Sequence, residues 1–267
     1  MSNAAILRAL ETGVMREQAK DLTAQERATV AEYLHSASDK TANAVPSSAY
    51  CSTAATAASS SGSGWNGFGA NLANTRFQSK DDAGISASDV PKLRLRWAFS
   101  LGDITMARGQ PVVVDGRLYA GSAAGKLYSL DAKTGCLYWQ FDAEAAIRSG
   151  VMVGTADPSA GPAVFFGDAK ANAYAVDAAS GKLLWKMHVD EHPTALITAA
   201  PTLSDGVLYL GVSSLEEFAG AQPNYECCTF RGSVVALEAA TGKVIWKTYT
   251  VAQSASPTTK TLSLIHI

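Results

Sequence analysis

No stretch of this 267-residue chain approaches the roughly 18 consecutive apolar residues that a bilayer-spanning helix needs, so no membrane span is expected. Charge is sparse and balanced: 22 Lys and Arg against 24 Asp and Glu leave a net charge of −2. Nor is there a basic run of the kind that builds a nucleic-acid surface, which excludes that class of partner. The opening MSNAAILRALETG lacks the basic region and long apolar core of a secretory leader. Cysteine is scarce, with only Cys51, Cys136, Cys227 and Cys228, and the haem-attachment sequence Cys-x-x-Cys-His is missing. Four cysteines allow three pairings, and the spacing alone does not choose among them. His35, His188 and His192 show no metal-ligand spacing and read as surface residues. What is present is ordinary for a globular protein: 47% apolar and 17% charged residues, enough for a sizeable core.

Three zones follow one another. Residues 1–36 read as two helices. Ile6, Leu7 and Leu10 share a face before Gly13 stops the first. Thr23 and Glu26 then form a capping box ahead of the stripe Val30, Ala31 and Leu34. Two short helices bury little, and this zone reads as the end of a larger domain. Residues 37–64 are rich in Ser, Ala, Thr and Gly and read as a flexible linker that contains Cys51. From residue 65 to about 260 the texture becomes short strands separated by turns.

An internal repeat organises that third zone. An acid, two residues, Thr or Ser, Gly, three residues and Trp recur from Asp131 to Trp139, from Asp177 to Trp185 and from Glu238 to Trp246. With the earlier Trp97, the tryptophans lie 42, 46 and 61 residues apart. Periods in the forties with several strands per unit predict an all-β, propeller-type fold in which each Trp packs one blade on the next. In an up-and-down blade the inter-blade connections and the loops between the second and third strands share one face. Aligning RGQPVVV, RSGVMVG and TAAPTLS places Arg108, Arg148 and Thr198 at equivalent strand starts there. The insertion carrying Cys227 and Cys228 falls on the same face, followed by Arg231. Adjacent Cα atoms across a trans peptide lie about 3.8 Å apart, below the roughly 4.4 Å minimum usual for a disulfide. The pair could therefore be two thiols, a strained vicinal bridge, or a partner for Cys51 or Cys136.

The acid-x-x-Thr-Gly-x-x-x-Trp repeat resembles the docking motif of the pyrroloquinoline quinone (PQQ)-dependent alcohol dehydrogenases, and GWNGFGANLANTRFQ is similar to the segment that opens their propeller. ILRALETGVMREQAKDLTAQERATVAEYL resembles the end of a small c-type cytochrome domain. The order of the two, with NYECCTFRGSVVALEAATGKVIWKTYT, is most similar to the cytochrome-linked polyvinyl alcohol dehydrogenases among the quinohaemoproteins. The resemblance implies PQQ, haem c and calcium as cofactors, a periplasmic setting, and a secondary-alcohol substrate of polyvinyl alcohol type. It implies electrons passed to a cytochrome, with Met15 as axial haem ligand. A Cys227–Cys228 disulfide would stack on the quinone, and Arg108, Arg148, Arg231 and Thr198 would contact it. About three of the family's eight blades are recognisable, so the catalytic base and most calcium ligands are not expected here. The tail LSLIHI resembles a translated sequencing-library end, which marks 261–267 as foreign and the whole as a reading frame cut at both ends. Two other readings compete: a non-catalytic propeller scaffold of outer-membrane assembly, which shares the Trp repeat, and a quinohaemoprotein dehydrogenase for a smaller alcohol.

Overall fold

A computed structural model describes residues 3–36, 45–52, 64–70, 73–102, 104, 107–157, 159–222, 225 and 227–254. The chain divides into two units, Met1–Ser47 with Leu101–Thr105, and Ser48–Ser100 with Met106–Ile267. The stretch 261–267 lies outside the described residues, as does most of the 37–64 linker.

In the first unit, helices α1 (Asn3–Glu11) and α2 (Ala24–Ser36) pack through Ile6, Leu10, Ala19 and Ala31. The capping box forms as the sequence predicts: the Thr23 N–H donates to Glu26 Oε2 at 2.7 Å, and the Glu26 N–H donates to Thr23 Oγ1 at 3.2 Å. Leu34, expected on the apolar stripe with Val30 and Ala31, is exposed and does not join the cluster that those two pack into. Among the described residues no helix is long and apolar enough to cross a membrane.

The second unit is built from antiparallel meanders. The first sheet runs β1 (Gly64–Trp65), β2 (Val112–Val114), β3 (Arg117–Gly121), β4 (Lys126–Asp131) and β5 (Leu137–Asp142). The second runs β6 (Met152–Gly154), β7 (Ala163–Gly167), β8 (Asn172–Asp177) and β9 (Leu183–His188). In the third, β10 (Ala195–Leu196) and β11 (Thr202–Ser204) both pair with β12 (Val207–Ser214), followed by β13 (Ser233–Glu238) and β14 (Val244–Tyr249). These are three consecutive blades. Every residue of β7 is buried, as is β8 up to Asp177, which is why AVFFG and NAYAV read as near-continuous small or apolar runs. The residues around Trp97, counted with the strands on sequence grounds, form no ladder among the described residues.

The repeat explains how blades join. Each acid folds its own turn: Asp131 accepts hydrogen bonds from the backbone N–H of Lys133 and Thr134, and Asp177 accepts one from that of Ser180. The Thr134 hydroxyl and the neighbouring amides hold the Asp131 carboxyl below its usual range. The indole N–H groups of Trp97, Trp139 and Trp185 donate to the carbonyls of Ala132, Ala178 and Ala239, each the residue after the next motif acid. The ring then lies on that motif's glycine. A Cβ on Gly181 would come within 2.6 Å of Trp139, and Gly181 sits at φ 71°. Trp139 and Trp185 are accordingly 7% and 9% exposed, whereas Trp246 on the β14 edge is 42% exposed. Gly181→Ala is therefore expected to cost about 3 kcal/mol, from a left-handed backbone and an overpacked ring together. Thermal unfolding measures it; a loss below about 0.5 kcal/mol would mean that the ring contact is not holding the blades.

A disulfide settles one pairing. Cys51 is bonded to Cys136, 85 residues away, beside a parallel bridge between Tyr50 and Leu137. Part of the expected flexible linker is thus fastened to the outermost strand of the first blade.

Candidate functional site

Strand alternation builds the site. The starts of the inner strands present Arg108 and Gln110, then Arg148, Gly150 and Met152, then Thr198, Ala200 and Thr202 to one cavity of about 710 Å³. The same cavity is lined by Asn66 to Ala70 and Asn74. This brings together Arg108, Arg148 and Thr198, the three residues that the aligned strand starts select. The Arg148 Nε is buried with no hydrogen-bond partner, and Arg148 forms no ion pair among the described residues. A desolvated guanidinium N–H without an acceptor is costly and marks a place where an anionic ligand would repay the desolvation. Thr198 keeps its hydroxyl oriented by Ser213 at 3.1 Å. Among the described residues no Asp, Glu or His lines the cavity, whose polar side chains there are guanidiniums, amides and hydroxyls.

Cys227, Cys228 and Arg231 are not among the lining residues. The two cysteines are bonded to each other across a cis peptide bond, with Cys227 buried. Arg231 turns elsewhere: its Nη2 donates to the carbonyls of Val251 and Ala252, and its guanidinium lies 3.8 Å from the centroid of the Tyr249 ring. The cysteine loop is gripped instead by Glu216, whose carboxylate accepts from the Tyr225 hydroxyl at 2.9 Å, the Thr229 N–H at 2.7 Å and the Phe230 N–H at 2.8 Å. Burial pushes the Glu216 carboxyl up, but these hydrogen bonds outweigh it and hold the group below its usual range. His192, read as a surface residue, is mostly enclosed, with Nε2 3.0 Å from the Thr229 hydroxyl and 3.7 Å from Glu216. The residue types around the cysteines gave no hint of this network. Gln110 and Met152, by contrast, follow from the aligned strand starts, two residues on from Arg108 and four on from Arg148 along the same strand face.

Met15 lies in the turns between α1 and α2 and is 43% exposed. That turn region is pinned by Arg27, which donates from Nε and Nη2 to the carbonyl of Ala19 at 3.1 and 3.0 Å. Its thioether is thus an available soft donor on a fixed segment. Among the described residues no group of three or more His, Cys, Asp or Glu could hold a metal ion.

Residues 81–254 match the family model described as outer membrane protein assembly factor BamB. The chain is 40% identical over 196 residues to a polyvinylalcohol dehydrogenase of Pseudomonas sp, an alignment covering 72% of this chain and 30% of that protein. It is 37% identical over 270 residues to the polyvinylalcohol dehydrogenase of Sphingopyxis sp. (strain 113P3), covering 94% of this chain and 40% of the relative. The crystal structure of quinohemoprotein alcohol dehydrogenase from Comamonas testosteroni superposes with a TM-score of 0.59 at 26% identity, over 71% of this chain and 27% of that one. The chain spans less than half the length of each of these relatives.

Proposed function

The chain belongs to the PQQ-dependent quinoprotein alcohol dehydrogenase family of β-propellers, and from that premise we propose that the protein oxidises secondary alcohols with PQQ held in the inner-strand cavity. The observation that carries the assignment of the site is the buried, acceptor-less Arg148 Nε beside Arg108 and Thr198. PQQ is planar and bears three carboxylates, which guanidinium forks recognise in pairs of hydrogen bonds. Bound there, it would supply a hydride acceptor for the carbinol carbon of the alcohol. The chain's own part is to neutralise and orient: Arg108 and Arg148 meet the carboxylates, and Thr198, steadied by Ser213, offers a hydroxyl. The proton from the alcohol must go to a base outside the described lining residues.

The further parts of the proposal rest on the resemblance and the relatives. The first unit is the end of a c-type cytochrome domain with Met15 as axial ligand, a role suited to an electron acceptor because a thioether raises the haem potential. The substrate is a secondary-alcohol polymer of the kind the two relatives are named for. The protein works in the periplasm, where two disulfides persist. The scaffold reading accounts for the repeat but not for a cation-lined cavity.

Titration of the chain with PQQ tests the site. Saturable binding of one PQQ per chain, weakening as salt is raised, is expected. Absence of saturable binding would overturn the assignment.

A further inference from the structure

We infer that the segment Trp65–Ala70 is a preformed wall of the ligand cavity, with Phe68 as its contact to a planar polycarboxylate and Gln110 as the residue that positions it. The inference rests on the cofactor reading for the identity of the ligand, but not for the wall itself.

The wall is held from two blades. The Gln110 side-chain amide, oriented so that both of its ends are satisfied, accepts from the Trp65 indole N–H at 2.6 Å and donates to the Phe68 carbonyl at 3.0 Å. Asn66 reaches the next blade, donating from Nδ2 to the Val153 carbonyl at 2.6 Å and accepting the Val153 N–H at 2.9 Å. Two backbone bonds close the segment on itself: Asn66 N–H to the Ala70 carbonyl at 3.3 Å, and Arg76 N–H to the Gly69 carbonyl at 3.1 Å. The path requires left-handed backbone at two residues that disfavour it, with φ 74° at Ala70 and 51° at Arg76, besides 53° at Asn74, a residue type that tolerates it. Such conformations persist only where surrounding bonds impose them, and they concentrate at ligand clamps. Gly69 cannot be replaced, since a Cβ would lie 2.4 Å from the Asn74 Cα.

Phe68 is the large apolar side chain of this wall, half-exposed and lining the cavity, with the Arg76 guanidinium 4.1 Å from its ring centroid. A flat ring in a cavity that two arginines also line suits a ligand that is flat and carries carboxylates. Because the wall is already ordered, the ligand does not have to order it, and affinity depends on the bonds that keep it so. Gln110 touches both the wall and the cavity, and no other residue bridges Trp65 to Phe68 among the bonds described.

The test uses the full chain, with PQQ as probe, and two readouts. In Gln110→Ala, hydrogen–deuterium exchange without ligand is expected to accelerate at the Asn66 and Arg76 amides while β3 and β4 keep their protection. With PQQ, dissociation measured by stopped flow is expected to speed up about tenfold in both Gln110→Ala and Phe68→Ala, with binding stoichiometry retained. A general folding defect would lower the stoichiometry and loosen β3 and β4 as well. Unchanged exchange in Gln110→Ala overturns its positioning role, and unchanged dissociation in Phe68→Ala overturns the ligand contact. If the unaltered chain binds no PQQ, the cofactor reading falls and takes the Phe68 contact with it. The exchange result still decides for or against Gln110.

Discussion

Replacing Arg148 with alanine is expected to weaken PQQ binding about thirtyfold or more, while Arg231→Ala leaves it unchanged. The two arginines look alike in sequence, each close to a strand start or a cysteine pair, but their surroundings separate them. Arg148 lines the cavity with a buried Nε that has no acceptor. Arg231 also has a buried Nε without an acceptor, but it lies outside the cavity lining, with its Nη2 committed to two backbone carbonyls and its guanidinium on the Tyr249 face. Removing a desolvated charge that meets a carboxylate costs roughly 2–5 kcal/mol, and about 1.4 kcal/mol is tenfold in affinity. Lysine should not restore binding, because a point charge cannot reproduce a bidentate fork. Equilibrium titration of the three variants against the unaltered chain measures all of this. Equal losses for Arg148→Ala and Arg231→Ala would place the ligand nearer the cysteine loop.

The second large effect concerns stability. Cys51→Ser is expected to cost about 4 kcal/mol, because the bridge to Cys136 spans 85 residues and removes much of the unfolded chain's freedom. For a unit of this size that is a fall of roughly 10 °C in the midpoint of thermal unfolding. Cys136→Ser should cost the same, and the double variant no more than either alone, since one covalent link is lost in each case. Cys227→Ser offers the contrast: the linked residues are one apart, so their bond closes no long loop and its chain-entropy contribution is small. Additive losses in the Cys51 and Cys136 variants would contradict the pairing.

The blade architecture was readable because one motif does several jobs at each recurrence. Asp131 or Asp177 makes the turn, the following alanine carbonyl takes an indole N–H, and the glycine receives the ring. Such a unit leaves a trace in sequence that needs no long-range information. Arg108, Arg148 and Thr198 were reachable for the same reason, since equivalent strand starts in stacked blades face one axis. The wall at Trp65–Ala70 was not: its path is set by left-handed φ at Ala70 and Arg76, residue types that do not announce it. Nor was the Cys51 partner, because a Ser- and Ala-rich neighbourhood gives no register. Glu216 looks like an ordinary acid beside Glu217 until the fold brings Tyr225, Thr229 and Phe230 to its carboxylate. The cysteine pair, placed on the arginine face by blade topology, sits between Tyr225 and Thr229 in the loop that Glu216 holds and is not among the residues lining the cavity.

A crystal structure of the chain with PQQ tests the central claim most directly. The account predicts the quinone among the inner-strand starts, with one carboxylate accepting from Arg148 Nε and its rings facing the Phe68 wall. PQQ lying against the Cys227–Cys228 loop, with Arg148 Nε still without an acceptor, would contradict it.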